Sequence, residues 1–398
     1  MEQVLYKLPD GWEWSNLTDI CTPSRKTVEP NPEEQYNYIG LENIESHTGK
    51  LISDSPTKGS EISSTKVSFK KGMVLYGKLR PYLNKVVVAK IDGIATTEII
   101  PFECSDAISP GFLAYYLRSQ YFVDLAMNNC SGARMPRATT KLFTQIAKVP
   151  VTSITEQNRI VEKLDALLTR IDTAIEHWQE SVTLADALYA STINEQMMQA
   201  IELAGLSTVE KHIEQIQTGT TPPTKQPEFY ENGDINWFAP SDFGDHDILF
   251  DSNKKLSQKA FDAGKARKFD AGTIMLVAIG ATIGKIGYLE QDASSNQQIT
   301  GMKFNSAIIP RYAYYWFRFI KPEILTNAST ATLPIINQKG IKALSFCAPN
   351  KQLQETICRK IDEVSNFRNK VKAELNEKVE LMRSLKASIL DSAFKGEL

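Results

Sequence analysis

Two stretches of this chain, "VPVTSITEQNRIVEKLDALL" (149–168) and "CAPNKQLQETICRKIDEV" (347–364), share one pattern. Each runs from a proline through Gln and Glu into spaced apolar residues that end on Asp. Setting Asp165 on Asp362 gives an offset of 197, and the match holds from Gln157 on Gln354 to Ala190-Ser191 on Ala387-Ser388. Upstream the offset drifts to about 200: "FKKG" (69–72) parallels "FDAG" (269–272), and "AYY" (114–116) is set against "AYY" (313–315). "MPRATTK" (135–141) and "LPIINQK" (333–339) share a Pro and a Lys at equal spacing. Loop insertions between two copies of one unit produce such drift, so the chain reads as an internal duplication.

Each copy ends in a long helix. Leu164, Leu168, Ile171, Ile175, Trp178, Val182, Ala185 and Tyr189 alternate steps of four and three, the seam of a coiled coil. Ser153 and Glu156 have the spacing of an N-terminal capping box, and Gly205 is a stop signal. Ile357, Ile361, Val364, Val371, Leu375, Met382, Leu385 and Ile389 repeat the pattern, with Arg368 interrupting it. Some forty residues make a rod of about 60 Å with one narrow apolar stripe, which needs a partner. The other helix is the expected one.

The parts between the helices read as mixed α/β. "KKGMVLYG" and "DAGTIMLVAIG" put a glycine turn before an apolar, β-rich run. Asp92-Gly93 is a hairpin signal. "GFLAYYLRSQYFVDLAM" and "RYAYYWFRFIKPEIL" predict amphipathic helices whose aromatics fill a core. The expected class is α+β: two globular α/β domains, 1–153 and 206–350, separated by antiparallel coiled-coil helices at 154–205 and 351–398, with a pseudo-two-fold repeat.

Composition narrows the function. With 42% hydrophobic and 23% charged residues and no apolar run near the ~20 residues of a membrane span, the chain is expected to be soluble and cytoplasmic, with no secretory signal region at its start. The five cysteines (Cys21, Cys104, Cys130, Cys347, Cys358) lack metal-ligand spacing and read as free thiols. The four histidines (His47, His177, His212, His246) are isolated from one another. Walker A, GxGxxG, HExxH and GxSxG patterns are missing; "GATIGKIG" has the wrong spacing for the first. A net charge of −2 rules out a globally basic nucleic-acid binder. Residues 154–205 carry 3 Lys/Arg against 9 Asp/Glu, so any DNA contact has to come from local patches elsewhere.

Such patches exist. "YGKLRPYLNK" groups Lys78, Arg80, Tyr82, Asn84 and Lys85, and "SGARMPRATTK" adds Arg134, Arg137, Thr139, Thr140 and Lys141. In the second half, "GATIGK" supplies Thr282 and Lys285, "SSNQQIT" supplies Asn296, Gln297 and Gln298, and Asn337 and Lys339 close the set. Arg, Asn and Gln pair with base edges, whereas Lys, Thr and glycine-rich backbone suit phosphate. On the first long helix Trp178, Tyr189, Met197 and Met198 exceed what one seam needs, which points to a docked protein.

The order of "LPDGWEWSNLTDI", "GKLRPYLNKV", "SGARMPR", "TEQNRIVEKLDALL", "GATIGK", "NQQI" and "SLKASILDSAFKGEL" resembles the specificity subunits of type I restriction–modification enzymes over essentially the full length. The second half departs at its start, where "STVEKHIEQI" replaces the Leu-Pro-x-Gly-Trp opening. The resemblance implies two target recognition domains, each reading one half of a split sequence in double-stranded DNA. It also implies helical spacers that dock two methyltransferase subunits, with restriction/translocase subunits in the full complex. This chain would then do no chemistry and bind no cofactor, S-adenosylmethionine, ATP and Mg being expected on the partners. The alternatives are a coiled-coil scaffold that binds protein without reading DNA, and an enzyme with an unfamiliar site.

Overall fold

A computed structural model describes residues 2–52, 56–132, 134–244, 248–329 and 333–398. His246 lies outside them. The chain forms two compact units, Met1–Gln179 with Leu375–Leu398 and Glu180–Glu374. Both long helices form, Ile154–Ala204 and Lys351–Phe394, and each gives one part to either unit.

The first unit centres on an antiparallel sheet in the order Cys21–Pro23, Ile99–Cys104, Val74–Gly77, Val86–Val88. A second sheet holds Thr27–Val28, Lys66–Phe69, Gly93–Ala95 and Tyr38–Ile39. Helices Pro110–Arg118 and Gln120–Asn128 follow, and Phe112, Tyr116 and Phe122 are buried in the core. The long helices close that core from one side with Ile160, Leu164 and Leu168, and with Leu390, Ala393 and Phe394. Here the two helices run antiparallel, with Arg159 bonded to the carbonyl of Leu398 and Lys386 to Asp172.

The second unit repeats the plan. Its main sheet runs Ile213–Thr218, Ile299–Phe304, Ile274–Val277, Ile286–Leu289, Ile248–Leu249. A smaller sheet pairs Lys254–Leu256, Ile235–Phe238 and Ser294–Ser295. Helices Pro310–Phe319 and Lys321–Asn327 bury Tyr312, Tyr314, Tyr315, Trp316 and Phe317. Tyr189, Ile193, Met197 and Ala200 pack into this core beside Ile357 and Ile361. Asp186 faces Lys372 at 3.3 Å while Ala200 receives the Cys347 thiol, so the pairing is again antiparallel.

The first long helix stops as read, with Gly205 at φ +73° just past Ala204, whereas the second, expected to run to 398, ends at Phe394. Ser153 Oγ accepts from the Glu156 N–H at 3.3 Å, but the Glu156 carboxylate turns to Arg159, so only half of the capping box forms. Gly72 and Gly272, at φ +88° and +83°, make the turns before the apolar strands.

Four further details differ from the sequence reading. Asp92-Gly93 makes no hairpin: Val86–Val88 pairs in one sheet and Gly93–Ala95 in the other. Gly93 is needed because a Cβ there would collide with the Asn37 carbonyl oxygen. Each long aromatic segment breaks in two, at Ser119, whose Oγ caps the next helix at Phe122, and at Ile320 before Pro322. The "AYY" match is one residue out of register. Both helices start at a proline, Pro110 and Pro310, and Tyr115 bonds Asp165 as Tyr315 bonds Asp362. Tyr116 reaches the Lys148 carbonyl as Trp316 reaches that of Ser345, so Trp316 is its counterpart. Finally, Leu385 is exposed, and Val379 and Leu390 are buried in its stead.

Candidate nucleic-acid interface

In each unit a loop leaving the central strand is stitched to a distant segment by the same backbone bonds. In the first unit Arg80 N donates to the Pro136 carbonyl at 2.7 Å, Ala138 N to that of Lys78 at 3.0 Å, and Lys78 N to that of Glu98 at 2.8 Å. In the second, Gly280 N donates to Pro334 at 3.0 Å, Ile336 N to Ala278 at 2.9 Å, and Ala278 N to Gln298 at 2.8 Å. Bridges at Leu79–Arg137 and Ile279–Ile335 complete the match. The two polar clusters of the first half, 58 residues apart at Lys78 and Pro136, therefore form one surface. Positive φ is kept at equivalent points, Arg80 with Gly280 (+52° and +107°) and Asn84 with Gly284 (+50° and +84°).

The side chains at these equivalent points diverge. Arg137 donates Nε and Nη2 to the two carboxylate oxygens of Glu98 at 2.9 and 2.8 Å. The second unit has Ile335 and Gln298 there. Arg80, Arg134 and Lys141 are exposed and have no side-chain partner among the described residues; Tyr82 is exposed beside Arg80. Lys78 is half-buried. Thr282, Gln297 and Lys339 are exposed, with Gln297 accepting from Thr221.

Other candidates serve the fold. Lys85 Nζ donates to the Leu41 carbonyl at 2.6 Å and Lys285 Nζ to that of Phe243 at 2.8 Å, each tying the loop base to a short helical turn. Asn84 Nδ2 donates to the Arg118 carbonyl at 2.7 Å. Thr139 Oγ1 accepts from Leu142 N, and Asn337 Oδ1 caps Gln338–Ala343 at the Gly340 N–H. Asn296 is buried, its amide closing a ring with Gln298. These side chains are engaged within the protein, so fewer polar groups are left available for a ligand than composition implied.

The docking residues need a correction too. Tyr189 is 2% and Met197 0% exposed, both inside the second core, so neither presents a surface. Arg368 and Arg318 lie 4.2 and 5.3 Å from the Tyr189 ring, which explains the arginine in the seam as a cation on an aromatic face. Trp178 is half-buried and Met198 exposed. Leu184, Leu188 and Leu203 of the same helix are exposed apolar residues too. Sequence reasoning missed these and Glu98. The 200-residue offset would have found Glu98, because it falls on Gln298.

Among the described residues no group of His, Cys, Asp or Glu is placed to hold a metal ion, and no helix is long and apolar enough to cross a membrane. All five cysteines are free, and burial pushes the Cys21 and Cys358 thiols up to about 12, which keeps them protonated and unreactive at neutral pH.

Two like α/β units with matched loops and unlike side chains, each closed by a pair of long helices, define an internally duplicated α/β protein, and comparison with known proteins gives its family. The description "Type I restriction modification DNA specificity domain" matches residues 9–183 and 211–381, so the chain belongs to that family, with two copies of its domain. It is 28% identical to the Escherichia coli type I restriction enzyme EcoDI specificity subunit, over 42% of this chain and 37% of the relative. It is 21% identical to the StySPI specificity subunit of Salmonella potsdam over 98% of this chain and 90% of that one. A solved chain from work on complex assembly and conformational transition of the type I R-M system shares the fold at TM-score 0.80, with 21% identity over 99% of this chain and 100% of the other. The HsdS subunit of Thermoanaerobacter tengcongensis follows at TM-score 0.55 and 22% identity, over 99% of both chains.

Proposed function

We propose that this chain is the sequence-reading, non-catalytic subunit of a type I restriction–modification complex. Each unit reads one half of a bipartite, asymmetric target in double-stranded DNA. The observation that carries this is the pair of equivalent loops, Lys78–Arg80 stitched to 136–138 and 278–280 stitched to 334–336, with one backbone plan and different side chains. A duplicated scaffold with unlike reading residues fits a target whose halves differ. Exposed Arg80, Arg134 and Lys141 supply phosphate attraction that the net charge of the chain does not.

The long helices dock two methyltransferase subunits, and Leu184, Leu188 and Met198 offer the apolar contact. Catalysis, with S-adenosylmethionine, ATP and Mg, belongs to the methyltransferase and restriction/translocase partners, and the complex works in the cytoplasm. Replacing one unit's recognition residues with those of a relative, then mapping methylation by the assembled complex, tests the assignment. One half-site should change while the other persists; joint change, or none, refutes modular reading.

A further inference from the structure

Resting on that reading, we propose that Glu98 is a positioning residue that aims Arg137 at a guanine, and that this guanine has no arginine-read counterpart in the other half-site. The guanidinium is a planar fork with five N–H donors. Arg137 spends one side of it, Nε and one Nη2 hydrogen, on Glu98. The end of the fork, Nη1 with the remaining Nη2 hydrogen, has no partner among the described residues. Those two donors are what O6 and N7 of guanine accept in the major groove.

A lone exposed arginine would serve phosphate equally well, but Glu98 changes the balance. Its carboxylate offsets the positive charge that a phosphate contact draws on, and leaves the donor geometry intact. It also restricts a long side chain before DNA arrives, lowering the entropy lost on contact. Glu98 is suited to this because its own backbone is tied down, its carbonyl accepting from Lys78 N at 2.8 Å, while Arg137 is bridged to Leu79. Exposure falls from 50% at the Arg137 side chain to 26% at Glu98, so the carboxylate sits deeper and the fork faces out.

The second unit holds the same backbone frame with Gln298 and Ile335 in these two places. Ile335 is 39% exposed and offers only an apolar contact, the kind that meets a thymine methyl.

The test uses the chain assembled with its methyltransferase subunits, selecting duplexes from a randomised pool and repeating binding across salt concentrations. Arg137→Ala is expected to relax one guanine in one half-site by about 5- to 150-fold, the range of one bidentate base contact. Glu98→Gln should relax that same position and leave the other half-site unchanged, with a salt slope no shallower than that of wild type, because it removes a negative charge beside Arg137. Arg137→Lys retains the charge without the fork and should weaken the guanine preference at an unchanged salt slope, and a circular dichroism melt equal to wild type for each variant excludes a folding defect. Glu98→Gln with Arg137→Ile copies the second unit and should change the preferred base rather than lower all affinities. The proposal is overturned if Glu98→Gln retains the guanine that Arg137→Ala loses. It is equally overturned if Arg137→Ala weakens all sequences alike and reduces the salt slope by about one unit, the mark of a phosphate contact. Sequence preference missing from the wild-type assembly would sink the recognition function itself, a different result from either.

Discussion

Gln157 and Gln354, 197 residues apart, make the same three hydrogen bonds in their own units. Gln157 accepts from Ser109 N at 2.8 Å and donates to the carbonyls of Ala107 at 2.9 Å and Thr152 at 2.8 Å. Gln354 accepts from Ile309 N at 2.8 Å and donates to Ala307 at 3.0 Å and Pro349 at 2.7 Å. Both are fully buried, so each locks the first turn of a long helix to the turn that starts an aromatic helix.

Removing either amide strands buried backbone groups, each costing about 1–3 kcal/mol. Gln157→Leu and Gln354→Leu are therefore expected to shift urea unfolding to clearly lower midpoints. A midpoint equal to wild type would show that the bonds add nothing net.

Arg80 stands at φ +52° with its side chain exposed and no partner among the described residues. As a phosphate contact, it should give an Arg80→Ala complex that binds all sequences more weakly, with the salt slope reduced by about one unit. Base-specific relaxation at constant slope would instead place Arg80 among the reading residues.

The central helix has one face in a core and another turned outward, so packing and the proposed docking can be tested apart. Met197→Ala hollows the second core and should cost about 2–5 kcal/mol by denaturant unfolding. Leu184→Glu with Leu188→Glu, on the outward face, should leave the circular dichroism melt near wild type and abolish co-purification with the methyltransferase. Undiminished assembly would remove these leucines from the docking surface.

His212 links stability to pH. Its Nε2 lies 2.8 Å from Ser207 Oγ and its ring 5.2 Å from that of Phe346. Burial first, and the Lys211 charge second, hold its pKa below the ordinary value of 6.5. The unfolded chain then binds the proton more readily, so this contribution is present above pH 6.5 and is lost as pH falls through the folded-state pKa. Thermal melting at pH 7.5 and 5.5 should show a smaller acid loss for His212→Gln than for wild type; equal losses would dissociate His212 from the effect.

The sequence by itself determined the duplication, the two long helices with their start points, and the aromatic cores. These are local or periodic signals: Ile160, Leu164 and Leu168 face one side because a helix turns every 3.6 residues, wherever the partner is. Candidate reading residues were legible as clusters, and Arg80, Arg134, Arg137 and Lys141 did come out exposed. Tertiary structure alone decided which side chains remain available. Lys85 and Lys285 look like phosphate ligands in sequence, yet each ammonium meets a carbonyl more than forty residues away in the chain. Tyr189 and Met197 looked surplus until Arg318, Arg368 and the aromatic helix closed over the same stretch. Glu98 gained its meaning when backbone bonds from Lys78 brought Arg137 beside it. Hydrogen bonds between distant segments leave no period in the sequence, so the chain could name its polar residues but only the fold could say which are already spoken for.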